Sequence, residues 1–275
     1  MSSRVLQAGP AVGAVETTCE ITDPVSDEVL ARYRQTVSVE RNSSRLQLRI
    51  EFDTVDFEPS GNPWMSYYAC RFAWENESAS ITRGMLGQAA GFRMERFESP
   101  DYIEAADHDT RMVIVPHGRP YHRRTGRRML DSLLAVEGEP QRVFEFTLDF
   151  DQAWPMRVAS EVLQPVIIHS TKGLRPSSAE SGWILGLSAK NVIVARTRTE
   201  PVGSSDPVEP KVRLVLVLEE TEGRSAACRI LTARRPKTAR LRRPDGSLVE
   251  DLPREENGVP VNFSRFQIRE VELTF

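Results

Sequence analysis

The sequence has 275 residues, 40% of them hydrophobic, so it can bury a sizeable core without a metal or disulfide staple. Lys and Arg number 36 against 39 Asp and Glu, a net charge of −3, so no overall positive field exists to hold nucleic acid. Cys19, Cys70 and Cys228 are an odd, widely spaced set without a C-x-x-C pair, which argues against a disulfide framework or a zinc cage and suits small buried hydrophobes in a reducing compartment.

In chain order, the opening MSSRVLQAGPAVGAV lacks the continuous apolar run of a secretory signal. No later stretch approaches a membrane span, and the expectation is a cytoplasmic chain with no membrane partner. The N-x-S triplets at Asn42, Asn76 and Asn262 matter only in a secreted chain. The first clear strand has Leu46, Leu48, Ile50 and Phe52 alternating with Gln47, Arg49, Glu51 and Asp53, one face wet and one dry. Around Gly61-Asn62-Pro63 cluster Trp64, Tyr67, Tyr68 and Trp74, rings that suit either sugar stacking or packing at a sheet edge. Asp107-His108-Asp109 offers metal-type donors, but neighbours on a strand point to opposite faces, so a solvated turn is the expectation.

Arg111–Val115 reads as a buried strand. It leads into the run from Pro116 to Gly126, whose two prolines and two glycines predict a shaped loop. His117, Arg119, Tyr121, His122, Arg123 and Arg124 on it are candidate donors to hydroxyl or carboxylate oxygens of a sugar or partner, although no third metal ligand lies at a recognised spacing. Met129–Val136, bracketed by Gly126 and Gly138, predicts a strand in preference to two helical turns. Phe144, Phe146, Leu148 and Phe150 then alternate with Glu145, Thr147, Asp149 and Asp151, which places both aspartates in solvent.

Val166–Ile168 is a further strand; Ser170–Gly182 is poor in apolar residues and suits a connection between domains. Beyond it, Trp183–Leu187, Val192–Ala195, Val212–Leu218 and Ile268–Phe275 read as strands, with an exposed hairpin loop over Glu200–Pro210. Helical periodicity is sparse, and no βαβ rhythm appears. The predicted fold is therefore all-β: a large antiparallel double sandwich over residues 1–172, a connection at 173–182 and a smaller sandwich over 183–275.

Paired carboxylates are the signature of glycoside hydrolysis, and Asp149 with Asp151 or Glu219-Glu220 with Glu222 supply them, but sequence spacing alone pairs none across the fold. Serine nucleophile elbows, phosphate-binding glycine loops and zinc-protease helices are absent.

Several segments, taken in order, resemble the C-terminal part of family 38 glycoside hydrolases, the α-mannosidase type. They are Gly61-Asn62-Pro63-Trp64, Arg71-Phe72-Ala73-Trp74, Phe97-Glu98-Ser99-Pro100, the His117 run into Met129-Leu130-Asp131, Val212-Arg213-Leu214 into Glu219-Glu220-Thr221-Glu222-Gly223, and Phe266 to Phe275. The resemblance implies a galactose-mutarotase-like double sandwich followed by a small sandwich. It also implies retaining hydrolysis of α-mannosides at a zinc ion, but those ligands and the aspartate nucleophile belong to an N-terminal catalytic domain that nothing here matches. No catalytic or metal residue carries over, no cofactor is expected in this chain, and the expected partners are a catalytic glycosidase domain or carbohydrate. Two rival expectations stand beside this one. An aldose mutarotase requires two of His108, His117, His122 and His169 to converge with a glutamate. A carbohydrate-binding module requires Trp64, Tyr67, Tyr68 or Trp74 as stacking surfaces.

Overall fold

The computed structural model describes residues 1–57, 60–164, 167, 183–202 and 211–275. They form two compact units, one of Met1–Leu86 with Ala90–Gln164 and the other of Gly87–Ala89 with Pro165–Phe275. The connection expected at 173–182, His169, and most of the strand expected at 166–168 lie outside the described residues, as do 203–210 of the expected hairpin loop.

The first strands are β1 (Ser2–Ala8), β2 (Val12–Thr22), β3 (Val29–Glu40), β4 (Arg45–Val55), β5 (Tyr67–Ala73), β6 (Ser80–Met85) and β7 (Gln88–Gly91). They are followed by β8 (Arg96–Glu98), β9 (Ile103–Ala106), β10 (Arg111–Val115), β11 (Tyr121–Gly126), β12 (Met129–Val136), β13 (Val143–Phe150) and the helix α1 (Pro155–Leu163). A nine-stranded sheet runs in the order β1-β2-β3-β4-β13-β10-β9-β6-β7, and a four-stranded sheet in the order β5-β12-β11-β8. Leu48, Ile50, Phe144 and Phe146 from the first sheet meet Phe72, Phe97, Leu130 and Leu134 from the second in one buried cluster. Aromatic contacts tie the layers together: the Phe72 and Phe146 rings lie 5.2 Å apart at 69°. This is an all-β sandwich, as the alternation predicted. Met129–Val136 is a strand throughout, paired with β5 on one side and β11 on the other. Leu130–Ala135 are buried without interruption, polar Asp131 and Ser132 included, as suits a central strand with a neighbour on each side.

Two expectations need correction. The nine-residue helix α1 was not legible: it is shorter than a window that shows helical periodicity, opens at Pro155 and has no side-chain cap. Its Met156, Val158 and Ala159 cover Tyr102, Val113 and Val115. That cover also explains the second correction, because Asp149 is buried rather than solvent-facing. Ser44 Oγ donates to Asp149 Oδ1 at 2.6 Å and Arg45 Nε to Oδ2 at 2.9 Å, while Arg45 Nη2 reaches Glu161 of α1 at 2.5 Å. Asp151, at a positive φ of 58°, is exposed as expected.

The second unit contains β14 (Leu185–Leu187), β15 (Val192–Val202), β16 (Lys211–Glu220), β17 (Ala226–Thr232), β18 (Thr238–Arg242), β19 (Leu248–Asp251), β20 (Val259–Phe263) and β21 (Ile268–Thr274). A three-stranded sheet, β14-β17-β20, faces a five-stranded sheet, β15-β16-β21-β18-β19. Cys228, Ile230, Val261 and Phe263 pack on Leu216, Leu218, Val271 and Leu273 between them. The turn after β16 is locked by Glu220, and Gly223 within it has a φ of +68°. A Cβ on Gly223 would lie 2.6 Å from Cζ of Phe266, so the position needs glycine for both conformation and space.

Candidate binding site

Side chains alternate across the four-stranded sheet, sending Phe72, Phe97, His122 and Leu130 into the sandwich and Arg71, Tyr121 and Arg123 outward. Register places Arg71 opposite Asp131, Asp131 opposite Arg123, and Arg123 opposite Arg96, a charged row across all four strands. Asp131 is buried, and Arg71 grips it as a fork, Nε to Oδ1 at 2.7 Å and Nη2 to Oδ2 at 2.9 Å. Arg123 Nε donates to Glu95 at 2.7 Å, and its Nη1 lies 3.4 Å from Tyr67 Oη and 3.5 Å from the Trp64 carbonyl.

Trp64 is set beside this row by its own local turn. Asn62 Oδ1 accepts the Trp64 backbone N–H at 3.0 Å, and the Asn62 carbonyl accepts that of Met65 at 2.9 Å. The Trp64 ring stands edge-on to Tyr121, with centroids 6.1 Å apart at 87°, and the Arg96 guanidinium sits 5.5 Å from the Trp64 ring centre. Tyr121 is 49% exposed. A cleft of about 350 Å³ opens here, bounded by Pro63, Trp64, Pro120, Tyr121, Leu133 and Glu139. Arg119 forms its back wall, paired with Glu139 at 3.0 Å and stacked 4.8 Å from the Phe144 ring centre. The Gln141 backbone N–H and the Arg119 guanidinium hold the Glu139 carboxyl below the usual carboxylate range. The cleft therefore offers a half-exposed aromatic corner with a fixed cation and anion at one end, a combination suited to a small polar molecule with an apolar face.

Of the residues singled out from the sequence, the fold brings together Trp64, Tyr67, Tyr121 and Arg123, with Arg119 in the cleft wall. Four others, His117, His122, Tyr68 and Trp74, do not join them. His122 is fully buried, so it cannot touch a ligand: Tyr121–Gly126 is a strand, not loop, and strand alternation turns His122 inward. Its Nε2 donates to the Ser99 carbonyl at 3.2 Å, which leaves Nδ1 as acceptor for Ser132 Oγ at 2.9 Å. Burial pushes its pKa down to about 4. His117 Nε2 meets Thr147 Oγ1 at 2.9 Å, and burial lowers its pKa as well. Tyr68 donates to the Asp56 and Leu30 carbonyls and packs its ring on Phe52, 5.6 Å away. Trp74 packs against the same core. Arg124, in turn, donates to the carbonyls of Gly126 and Arg127, each at 3.3 Å.

The remaining chemistry-bearing groups hold the fold. His108 is exposed beside Asp109, and Asp107 caps its turn by accepting the N–H groups of Asp109 and Thr110. The described histidines share no hydrogen-bond partner, and His169 lies outside the described residues. Among the described residues, no three His, Cys, Asp or Glu side chains are grouped to hold a metal ion. Sequence reasoning missed Arg71, Arg96 and Asp131 as parts of this face. Their alternation was visible, but the register that aligns them across four strands was not.

No family model matches the sequence, and no curated protein matches it. Among solved structures, the fold is similar to an alpha-mannosidase from Enterococcus faecalis V583, with a TM-score of 0.70 and 10% identity. It is also similar to a glycosyl hydrolase family 38 protein from Enterococcus faecalis, with a TM-score of 0.69 and 11% identity. The likeness covers 100% of this chain in both cases, but only 35% and 36% of those chains. The sandwich fold expected from the resemblance is therefore present, and the chain spans about a third of the length of the proteins it matches.

Proposed function

We propose that this chain is a non-catalytic β-sandwich unit of the α-mannosidase type that binds carbohydrate at the Trp64–Tyr121 cleft. The observation that carries the reading is the aromatic corner itself, presented by a rigid sheet and bordered by the Arg119–Glu139 pair. A sugar ring stacks its C–H face on such a corner while its hydroxyls reach the polar groups. The carboxylates that could have served hydrolysis support the non-catalytic half, because Asp149 and Glu220 are consumed by hydrogen bonds inside the fold. Zinc chemistry, on this reading, belongs to a separate catalytic domain. Calorimetric titration with an α-linked mannotriose tests the cleft. Trp64→Ala is expected to weaken binding about tenfold, roughly 1.4 kcal/mol, with the melting temperature unchanged. Binding indifferent to Trp64→Ala, or zinc-dependent hydrolysis of an aryl α-mannoside by the purified chain, overturns the proposal.

A second reading, docking of a catalytic glycosidase domain, is favoured by the apolar face of the nine-stranded sheet. Val5, Val15, Val37 and Leu48 lie in one cross-strand row. Leu48 is buried, but Val5 is 66% exposed and Val15 43%, so the row continues beyond the core. A catalytic domain is the fitting occupant because this chain spans only about a third of the glycosidases it resembles. Sedimentation with an isolated α-mannosidase catalytic domain is expected to show a complex that the double substitution Val5→Lys, Val15→Lys abolishes. A complex insensitive to that change, or a self-dimer broken by it, rules the reading out.

A further inference from the structure

We propose that the sugars held at this face carry anionic groups, recognised by an arginine-lined groove continuous with the Trp64 corner; the inference rests on the carbohydrate-binding reading above. The groove encloses about 690 Å³ and is lined by Tyr67, Arg71, Arg93, Arg123, Arg124 and Arg127. Five guanidinium groups in one groove are notable in a chain whose net charge is −3.

Their partners show which of them are open to a ligand. Arg71 is committed to the buried Asp131. Arg123 pairs with Glu95 and Arg127 with Glu77, but both carboxylates are more than half exposed, and such pairs in water are weak enough to exchange for a ligand oxyanion. Arg124 donates only to backbone carbonyls. Arg93 is exposed and forms no hydrogen bond or ion pair among the described residues. Three carboxylates thus oppose five guanidinium groups, and the surplus sits on Arg93 and Arg124. A guanidinium presents a planar fork of N–H donors that matches the paired oxygens of a carboxylate, sulfate or phosphate.

Continuity with the aromatic corner favours a charged glycan over a charged peptide. Arg123 reaches from the groove to the Trp64 carbonyl at 3.5 Å, and Arg96 lies over the Trp64 ring. A sugar ring seated on Trp64 and Tyr121 directs its neighbouring residues along the arginine row, where hydroxyls alone would leave guanidinium groups without anions.

Titration with matched probes decides the matter: an α-linked mannotriose, its 6-phosphorylated form and a sulfated hexasaccharide, each at low and at physiological salt. The two anionic probes are expected to bind at least about tenfold more tightly than the neutral one at low salt. That advantage should shrink as salt rises and vanish in the double variant Arg93→Ala, Arg124→Ala, whereas Trp64→Ala should weaken all three probes. Equal affinity for neutral and anionic sugars overturns the inference and leaves carbohydrate binding standing; failure of every sugar to bind overturns both. Displacement by equimolar inorganic sulfate also overturns it, since the sugar would then contribute nothing. A polyglutamate peptide bound as tightly, through the same arginines and independently of Trp64, would reassign the groove to acidic proteins. Circular dichroism and melting of each variant separate loss of binding from loss of fold.

Discussion

Replacing Glu220 by glutamine, which keeps the side chain's shape, is expected to destabilise the second unit by about 3 kcal/mol. Glu220 is fully buried, and its two oxygens accept four hydrogen bonds. Asn191 Nδ2 and the Glu222 backbone N–H converge on Oε1, each at 2.9 Å, while the backbone N–H groups of Arg224 and Phe266 converge on Oε2 at 3.1 and 2.8 Å. A carboxylate satisfies all four because both oxygens are acceptors. An amide has one acceptor, so in either orientation its NH₂ faces two donors. Turning the Asn191 amide relieves one of them only by aiming its oxygen at the Arg224 carbonyl, which Asn191 Nδ2 now serves at 3.2 Å. Calorimetry should record a fall in Tm of roughly 10 °C for one transition, with the exposed control Glu250→Gln unchanged. A Glu220→Gln protein that melts with the wild type would show that the four contacts carry little energy.

The second large effect is a loss of stability in acid that traces to one histidine. The pKa of His122 is pushed down to about 4 by burial, against an ordinary value of 6.5. In the unfolded chain it takes up a proton as pH falls through 6.5, while the folded protein refuses that proton until about pH 4. The unfolded state therefore binds more protons within that window, and stability present above pH 6.5 drains away as pH falls toward 4. The full difference amounts to about 3 kcal/mol. Denaturant unfolding at pH 7.5, 5.5 and 4 should show this loss in the wild type, and a loss smaller by about that amount in His122→Gln, whose amide N–H still reaches toward the Ser99 carbonyl. Parallel losses in the two proteins would place the acid sensitivity elsewhere.

His122 also shows where reading from sequence stops. Beside Pro116, Gly118 and Pro120 it looks like part of a loop, and its chemistry invites a binding role. Strand β11 begins only one residue earlier, at Tyr121, and alternation from there decides that Tyr121 is wet and His122 dry. The strands of strict alternation, β4 above all, were legible because one face is core and the other solvent. β13 misled in its second half, since α1 covers the face carrying Asp149, and a nine-residue helix leaves too faint a period to announce itself. At the candidate site, Trp64, Tyr121 and Arg123 were recognisable by residue type. The pairing of Arg71 with Asp131, sixty positions apart, needed the fold.

The order of strands in the nine-stranded sheet bears on how the chain comes to be folded. β1 to β4 are joined in sequence by antiparallel pairing, so this ribbon can zip up locally as it emerges. The next position in the sheet belongs to β13, and between Val55 and Val143 the chain must first build the opposing layer. The β4–β13 seam closes late, across a loop of long sequence separation, and its closure entropy is recovered only when Phe144 and Phe146 reach the core. A ribosome-bound chain halted before residue 143 would leave the edge of β4 without its partner strand, which makes the time between those two strands a period of risk in this protein's synthesis.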